Sequence, residues 1–407
     1  MATGSTFMLV ILFTLLAGIT IGKFWERYKL RGGRWIDRRR AKQSPHYILG
    51  LNFMVSNQTD LAIEELNKAI SLDMEPIEIH MILGNLYREK GQVGRAIHMH
   101  QKLLQRPNLT TVEHAYVLLC LGLDFKRGGF LDRSLEAFDE VLRLDSNNRY
   151  ALLNLEKLYE EQHQWELAHN AREKAMALHN SDSQENKPIL AFLKNELGLV
   201  AQQQQNGVEA KHYFETAIEL SEQTIPAYLN LGDAQLISGD VGGAAETWES
   251  LIDVAPDRAY LVFDRLRDIY SRLGSLNKFQ TLCQKLINAN KKDWRARLAL
   301  GRHLLEQKDA GNALEILFEA IIYNPHSLSI HQTIWNSLIM LQLQSNLVKR
   351  YMELTKKSIF YLDPHICRKC RYRSTELLWQ CPNCHEWNTF LEEVIAPAEI
   401  EDTEPRE

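Results

Sequence analysis

The stretch that decides the fold is Leu83-Gly84-Asn85-Leu86-Tyr87, which is followed by Ala96 twelve residues after the glycine. Leu83 and Tyr87 are four residues apart and therefore share one face of a helix. Gly84 is small enough to let a facing helix approach closely, and a glycine turn interrupts the apolar pattern before it resumes at Ala96. The stretch predicts a hairpin of two antiparallel helices that pack through a small residue.

The same arrangement recurs along the chain, with most steps 34 residues long, the period of tetratricopeptide repeats. Bulky residues often stand sixteen positions after the small residue, which allows neighbouring helices to interlock. We therefore predict an all-α fold, a tetratricopeptide-repeat superhelical solenoid over residues 44–360. The small positions of its units are Gly50, Gly84, Gly122, Glu156, Gly198, Gly232, Arg267, Gly301 and Trp335, and the bulky ones include Leu66, Phe138, Phe214, Trp248 and Leu317.

Two steps are longer than the rest, 38 residues from Gly84 to Gly122 and 42 from Glu156 to Gly198. We place the first surplus near residues 108–111. We interpret the second as a polar loop over residues 179–188, the most flexible point of the array and a bend in it.

The first helices of such units line a concave face, where exposed polar side chains can bind a peptide. The candidates are Asn85, Arg88, Asn154, Asn195, Asn230 and Asp233, and the alternative is that each is an ordinary solvated position. The histidines lack the spacing of metal ligands and are predicted to lie on helix surfaces, namely His98, His100, His163, His169 and His331. No nucleophile, base and orienting group stand together in the sequence, so we predict that the protein is not an enzyme.

The first 43 residues combine an apolar stretch with a basic run. Residues 3–22 are long enough to cross a bilayer, so we predict a transmembrane helix as the anchor over residues 1–22. Nine lysines and arginines follow in the juxtamembrane segment 23–43, and none precedes the apolar stretch. The positive-inside rule then places the N-terminus outside and the bulk of the chain in the cytoplasm. A cleaved signal peptide is the rival interpretation, although the basic n-region that it requires is missing.

Four of the six cysteines form the second strong signal, Cys367-x-x-Cys370 and, ten residues later, Cys381-x-x-Cys384. Two such turns that face each other give tetrahedral S4 coordination, which suits either zinc or iron. We predict one metal ion held by these four thiolates in a module over residues 361–391, followed by an acidic tail over 392–407. Disulfide pairing is the alternative, and His365 or His385 as a ligand is a weaker one. Cys120 and Cys283 fall on apolar repeat positions and are predicted to be core thiols.

A segment this short cannot bury a core of its own, so the metal is expected to supply much of its folding free energy. Its tryptophans also need a surface to cover them. We expect the module to dock on the final helices, near residues 335–354.

The order of anchor, basic run, repeats and terminal CxxC–x10–CPxC module resembles the lipopolysaccharide assembly protein B family of Gram-negative bacteria over essentially the full chain. That family's terminal module is rubredoxin-like or zinc-ribbon-like and binds its metal through four cysteines, which match Cys367, Cys370, Cys381 and Cys384. Rubredoxin knuckles carry glycine after the second cysteine of each pair, whereas Arg371 and His385 stand there in this chain. The departure argues against electron transfer and leaves structural metal binding intact.

The resemblance implies a single-pass inner-membrane protein with a periplasmic N-terminus and a cytoplasmic bulk, able to form a homo-oligomer. It implies an adaptor that regulates lipopolysaccharide biosynthesis by bringing the lipid A pathway deacetylase to a membrane AAA+ protease. Two alternatives stay open, a rubredoxin-like redox protein and a zinc ribbon that binds RNA. The net charge of −5 argues against general nucleic-acid affinity.

Overall fold

The computed structural model describes residues 45–71, 77–178, 183–341 and 365–392. The chain divides into two compact units, residues 1–158 and 159–407, with the boundary inside one helix. Within the described ranges, none of the helices combines the length and the apolarity that a bilayer crossing requires. The predicted anchor, the basic segment and nearly all of the acidic tail lie outside those ranges.

The first unit is built of helical hairpins. Its helices are α1 (Pro45–Val55), α2 (Thr59–Ser71), α3 (Ile77–Glu89), α4 (Val93–Leu104), α5 (Thr111–Arg127), α6 (Leu131–Leu144) and the greater part of α7 (Arg149–Glu161).

The second unit continues the hairpins and ends in a small sheet. Its helices are α8 (Trp165–Ala177), α9 (Ser183–Gln203), α10 (Gly207–Leu220), α11 (Ile225–Ile237), α12 (Val241–Val254), α13 (Phe263–Arg272), α14 (Leu276–Ala289), α15 (Trp294–Glu306), α16 (Ala310–Tyr323) and α17 (Leu328–Met340). A 3₁₀-helix over Pro256–Leu261 precedes α13. The strands are β1 (His365–Cys367), β2 (Arg373–Ser374) and β3 (Phe390–Glu392).

The small residue of each hairpin packs against the side chain sixteen positions later. At all six glycines of the register, a Cβ atom would come within 3.0 Å of that side chain. The contacts are Gly50 with Leu66, Gly84 with His100, Gly122 with Phe138, Gly198 with Phe214, Gly232 with Trp248 and Gly301 with Leu317. The glycines are therefore required by close packing between the two helices of a hairpin, and the predicted register is confirmed.

The turn inside each hairpin repeats as well, because the residue seven positions after the small one has a positive φ. These residues are Asn57, Gly91, Gly129, His163, Gln205, Gly239, Gly274 and Lys308. Their φ angles lie between 56° and 88°, the left-handed region that reverses the chain. The pattern includes the units at Glu156 and Arg267, which lack the glycine, so both are genuine repeats.

Both long steps are absorbed by longer first helices. Most first helices begin seven residues before the small residue, as Ile77 does before Gly84. Helix α5 begins four residues earlier than this, at Thr111, where Thr110 and Glu113 form a capping box. The four extra residues form about one additional helical turn.

Helix α9 begins at Ser183, eight residues earlier than the usual seven residues before the small position, and includes Pro188. The interpretation of residues 179–188 as a loop is therefore wrong from Ser183 onward, while 179–182 lie outside the described ranges. Pro188 is the sixth residue of α9, so it lies inside the helix and removes the hydrogen bond to the carbonyl of Gln184.

Two of the histidines predicted to lie on helix surfaces are buried. His100 is fully buried, and its Nδ1 lies 2.5 Å from Oδ2 of the buried Asp124. Asp124 also accepts a hydrogen bond of 2.9 Å from Nη1 of Arg88. His100 occupies the bulky position of its repeat, and this partner 24 residues away makes its burial tolerable. His169 is buried too, and desolvation lowers its pKa, whereas His98 and His163 are exposed.

Candidate metal centre

The four predicted cysteines converge at one end of the small sheet. Strand β1 ends at Cys367 and pairs with β2 and β3 on its two sides, both antiparallel. Cys370 lies in the turn after β1, and Cys381 and Cys384 lie in the turn before β3. The Sγ atoms of Cys367 and Cys384 are 3.7 Å apart, those of Cys370 and Cys381 are 3.5 Å apart, and all four lie within 4.8 Å of one another.

These spacings fit a tetrahedral metal site. Zinc–sulfur bonds of about 2.3 Å in a regular tetrahedron place neighbouring sulfur atoms ~3.8 Å apart. A disulfide would require about 2.05 Å, so the alternative of two disulfides does not match the geometry. The donor set is four thiols in a reduced state, the set that structural zinc and rubredoxin-type iron share.

Backbone N–H groups of the two turns point at the sulfur atoms. Sγ of Cys367 accepts from the N–H groups of Lys369 and Cys370, and Sγ of Cys370 accepts from that of Tyr372. The second turn repeats the pattern, with Asn383 and Cys384 donating to Cys381 and Glu386 donating to Cys384. Such donors favour thiolates, the form that a metal requires.

The residues that replace the knuckle glycines adopt the glycine conformation. Arg371 has φ of 64° and His385 has φ of 54°, both in the left-handed region. The backbone of each turn is therefore preserved, and the sequence departure changes the side chain without changing the loop. Each non-glycine residue there carries local strain of roughly 1–2 kcal/mol.

The metal-free thiols differ in acidity. Burial opposes ionisation of Cys367, but the nearby Thr389 hydroxyl, 3.2 Å from Sγ, and the backbone donors outweigh it and lower the pKa to about 6. Burial raises the pKa of Cys384 to about 12.

The module docks on the repeats through the buried carboxylate of Glu160 near the end of α7. Glu160 is 1% exposed and accepts hydrogen bonds from Nε2 of Gln380 at 2.7 Å and from Nε1 of Trp387 at 3.3 Å. The Trp387 ring stacks on Phe192 of α9 with ring centroids 5.1 Å apart. It also contacts Trp165 of α8 at 6.3 Å. One tryptophan thus joins the module to three helices.

A second contact area lies on the 3₁₀-helix and α15. Arg258 donates a hydrogen bond of 3.3 Å to the carbonyl of Phe390, and Arg295 pairs with Glu392. The guanidinium of Arg295 is placed over the rings of Tyr260 and Trp294, 4.4 and 4.7 Å from their centroids. Both contact areas belong to the second unit, so the module ties repeats near residue 160 to repeats near residue 295.

In the part of the chain that the structure describes, the module contacts helices other than the expected ones. The contacts seen in the described part of the chain go to α7, α8, α9, the 3₁₀-helix and α15, and residues 342–354 of the expected surface lie outside it. The module presents a tryptophan and a glutamine that need a buried acceptor, and Glu160 supplies one. His385, weighed as a metal ligand, instead has its Nε2 3.7 Å from Oε1 of Glu161.

Most of the polar residues proposed to bind a peptide have partners within the repeats. Arg88 pairs with Asp124, Asn230 donates to Asn195 at 2.8 Å, and Arg265 forms two hydrogen bonds to Asp233, of 2.9 and 2.8 Å. These pairs link first helices of successive repeats, which explains their recurrence without a ligand.

The fold and the sulfur cluster define the class: an all-α tetratricopeptide-repeat solenoid with a C-terminal zinc-ribbon-like four-cysteine module. The family profile described as "Rubredoxin metal binding domain" matches residues 365–392, and the one described as "Tetratricopeptide repeat" matches residues 195–259.

Relatives of known name resemble the whole chain. The protein named "Lipopolysaccharide assembly protein B" of Haemophilus influenzae is 26% identical over 408 residues, covering 94% of this chain and 98% of its own length. The protein of the same name in Escherichia coli K12 is 24% identical over 395 residues, with the same two coverages. The resemblance drawn from the motifs is confirmed.

Solved structures of two tetratricopeptide repeat proteins are also similar to this chain. A tetratricopeptide repeat protein from Parabacteroides merdae covers 64% of this chain and 98% of its own, with 19% identity and a TM-score of 0.34. The C-terminal part of a TPR repeat-containing protein from Cytophaga hutchinsonii covers 70% and 98%, with 14% identity and a TM-score of 0.43.

Proposed function

We propose that this protein is a membrane-anchored, non-enzymatic adaptor that regulates lipopolysaccharide biosynthesis. It brings the lipid A pathway deacetylase to a membrane AAA+ protease and so promotes proteolysis of that enzyme. The observation that carries the proposal is the match, over 94% of the chain, to proteins named for lipopolysaccharide assembly. A solenoid of packed helical hairpins also provides the extended surface that binding two proteins at once requires.

The metal site has a structural role in this proposal. Cys367, Cys370, Cys381 and Cys384 hold one ion, iron or zinc, and the bound ion cross-links the two turns. The sheet has strands of two and three residues and a small apolar cluster around Phe390, so it depends on that cross-link. A correctly folded module then presents Gln380 and Trp387 to Glu160 and fixes the repeats that it touches.

The proposed topology follows from the N-terminal sequence. Residues 1–22 form a single transmembrane helix in the inner membrane, residues 23–43 contact anionic lipid, and the repeats of 44–360 with the module of 361–391 and the tail of 392–407 face the cytoplasm. The anchor confines the protein to the membrane of its protease, which raises the local concentration of the client.

An affinity pull-down from membranes, with a tag at the C-terminus, tests the function. The full chain is expected to recover both the protease and the deacetylase, and its loss is expected to lengthen the half-life of the deacetylase in cells. A chain that lacks residues 1–22 is the control and should fold, yet fail to shorten that half-life. Recovery of neither protein, with an unchanged half-life, would refute the adaptor role.

A further inference from the structure

The hydroxyl group of Thr389 lies beside a sulfur atom of the metal centre. Its Oγ1 is 3.2 Å from Sγ of Cys367. The sheet holds it there, because Cys367 pairs with Phe390 across the β1–β3 ladder. The N–H group of Arg368 also donates a hydrogen bond of 2.9 Å to the carbonyl of Thr389. The position of this half-buried hydroxyl is therefore fixed by the backbone on both sides of the contact.

The protonation state of the sulfur decides which atom donates in this contact. In a free thiol, the S–H group can donate to Oγ1 while the hydroxyl donates to the carbonyl of Glu386, 3.5 Å away. A metal requires the thiolate, which has no proton and can only accept. The Thr389 hydroxyl is then the donor, and a hydrogen bond to a charged acceptor is roughly twice as strong as one between neutral groups.

The hydroxyl gives one of the two buried sulfur atoms an additional donor. Cys367 and Cys381 are the first cysteines of their pairs, and both are fully buried. Each accepts hydrogen bonds from two backbone N–H groups of its own turn. The third donor to Cys367 comes from outside that turn, from the residue that precedes β3. It therefore joins a sulfur atom of the first turn to the opposite side of the module.

We propose that Thr389 is a positioning residue of the metal centre. Its hydroxyl donates a hydrogen bond to the thiolate of Cys367, orients that ligand and withdraws electron density from its sulfur. The proposal deepens the proposed function, since it rests on the four-cysteine site assigned there. Removal of a group that holds a metal ligand in place commonly weakens metal binding by roughly 10–100-fold. Hydrogen bonds to the sulfur atoms also tune the electronic properties of metal–thiolate centres.

Two pairs of proteins isolate the hydroxyl in the full chain, studied in detergent micelles. Thr389→Val differs from the unsubstituted chain by a methyl group in place of the hydroxyl, and Thr389→Ala differs from Thr389→Ser by the hydroxyl alone. The matched control is Thr375→Val, at an exposed threonine of the same module. Competition with a chromophoric chelator measures the affinity for Zn²⁺. The absorption spectrum with Co²⁺ measures the energy of the sulfur-to-cobalt charge-transfer band.

The member of each pair that lacks the hydroxyl is expected to bind Zn²⁺ about tenfold more weakly or worse. Its charge-transfer band with Co²⁺ is expected to move to longer wavelength, because a sulfur atom without this hydrogen bond releases electron density more readily. Thr389→Ser and Thr375→Val should match the unsubstituted chain in both measurements. If Thr389→Val fails to fold, the comparison of Thr389→Ser with Thr389→Ala still tests the hydroxyl.

Equal affinities and equal bands within each pair would overturn the proposal. A weaker affinity with an unshifted band would also overturn it, because Thr389 would then act through the packing of the module alone. An unsubstituted chain that binds neither ion through sulfur would remove the four-cysteine site and the positioning role with it. Neither measurement involves the deacetylase or the protease, so failure of the adaptor role would be detected separately, in the pull-down.

Discussion

Trp387 of the metal module donates a hydrogen bond to Glu160 of α7, a residue 227 positions earlier in the chain. The same carboxylate accepts from Gln380, so one buried group holds both sides of the second cysteine turn. A carboxylate that is 1% exposed is tolerated only with donors around it. The module and the repeats therefore complete each other, since each buries a polar group that the other satisfies.

Glu160→Ala is predicted to loosen the module. The change leaves the Trp387 indole N–H and the Gln380 amide without this acceptor in a partly buried site, which costs about 1–3 kcal/mol. Hydrogen exchange of residues 365–392 should become faster, and the melting temperature should fall. Glu166→Ala, at an exposed position of α8, is the control and should leave both unchanged. Unchanged exchange in Glu160→Ala would mean that the carboxylate does not hold the module.

Cys367→Ser and Cys384→Ser are predicted to behave alike. Each leaves three thiolates, so the module loses its metal and unfolds while the helices of the distal repeats remain. Metal analysis and circular dichroism measure the two effects separately. Cys120→Ala is the control, because that thiol is a buried core residue far from the cluster in sequence and should keep the metal. Retention of a full metal equivalent in Cys367→Ser would contradict the four-thiolate site.

The six glycines that pack against the second helix of their hairpins are predicted to be intolerant of even one methyl group. In Gly232→Ala the new Cβ would overlap the indole of Trp248, an overpacking that costs roughly 1–3 kcal/mol. Gly242 lies ten residues further along the chain, and a Cβ added there would meet no neighbouring atom within 4 Å. Gly242→Ala should therefore be neutral or stabilising by up to ~1 kcal/mol. Chemical denaturation of both variants checks the register. Equal denaturation midpoints for the two variants would contradict the proposed repeat register.

The buried group of Arg88, His100 and Asp124 is predicted to be a strong stability determinant of the first unit. Asp124→Ala removes the acceptor of two basic side chains, one of them fully buried, and breaking such a pair costs about 3–5 kcal/mol. Asp139→Ala, at an exposed position of α6, should change the free energy of unfolding by less than ~0.5 kcal/mol. A similar decrease in the free energy of unfolding in both variants would show that the buried group does not stabilise the first unit more than a surface residue does.

The repeats could be predicted because their signal is local and periodic. A glycine, its bulky partner sixteen residues on and an intervening turn define one hairpin, and the structure shows each of these contacts. The metal site could also be predicted, because two CxxC pairs are typical of four thiolates that bind one metal ion. The extra turns of α5 and α9 were missed because a surplus of four or eight residues fits a loop and a longer helix equally well.

The docking of the module could not be predicted from the sequence. Glu160 is one acidic residue among many on the helices, and nothing in its neighbourhood shows that it is buried or that Gln380 lies 220 positions away. His100 was misplaced for the same reason, because a histidine at a core position depends on a partner in another helix. The repeat register does place His100 at a core position, because it stands sixteen residues after Gly84.

Arg371 and His385 illustrate a limit of motif comparison. Their side chains differ from the glycines of rubredoxin knuckles, yet their backbones adopt the same left-handed conformation. The missing glycines therefore do not prevent the turns from directing backbone N–H groups at the sulfur atoms.

The measurement that tests the central claim most directly is proteolysis of the lipid A pathway deacetylase by the membrane AAA+ protease in liposomes. The full chain, reconstituted with zinc in its four-cysteine site, is expected to accelerate degradation, and Cys367→Ser in the same liposomes is expected not to. Because zinc is redox-inert, acceleration by the zinc form supports a structural metal in an adaptor. A zinc-loaded, folded protein that leaves the degradation rate unchanged would contradict the account.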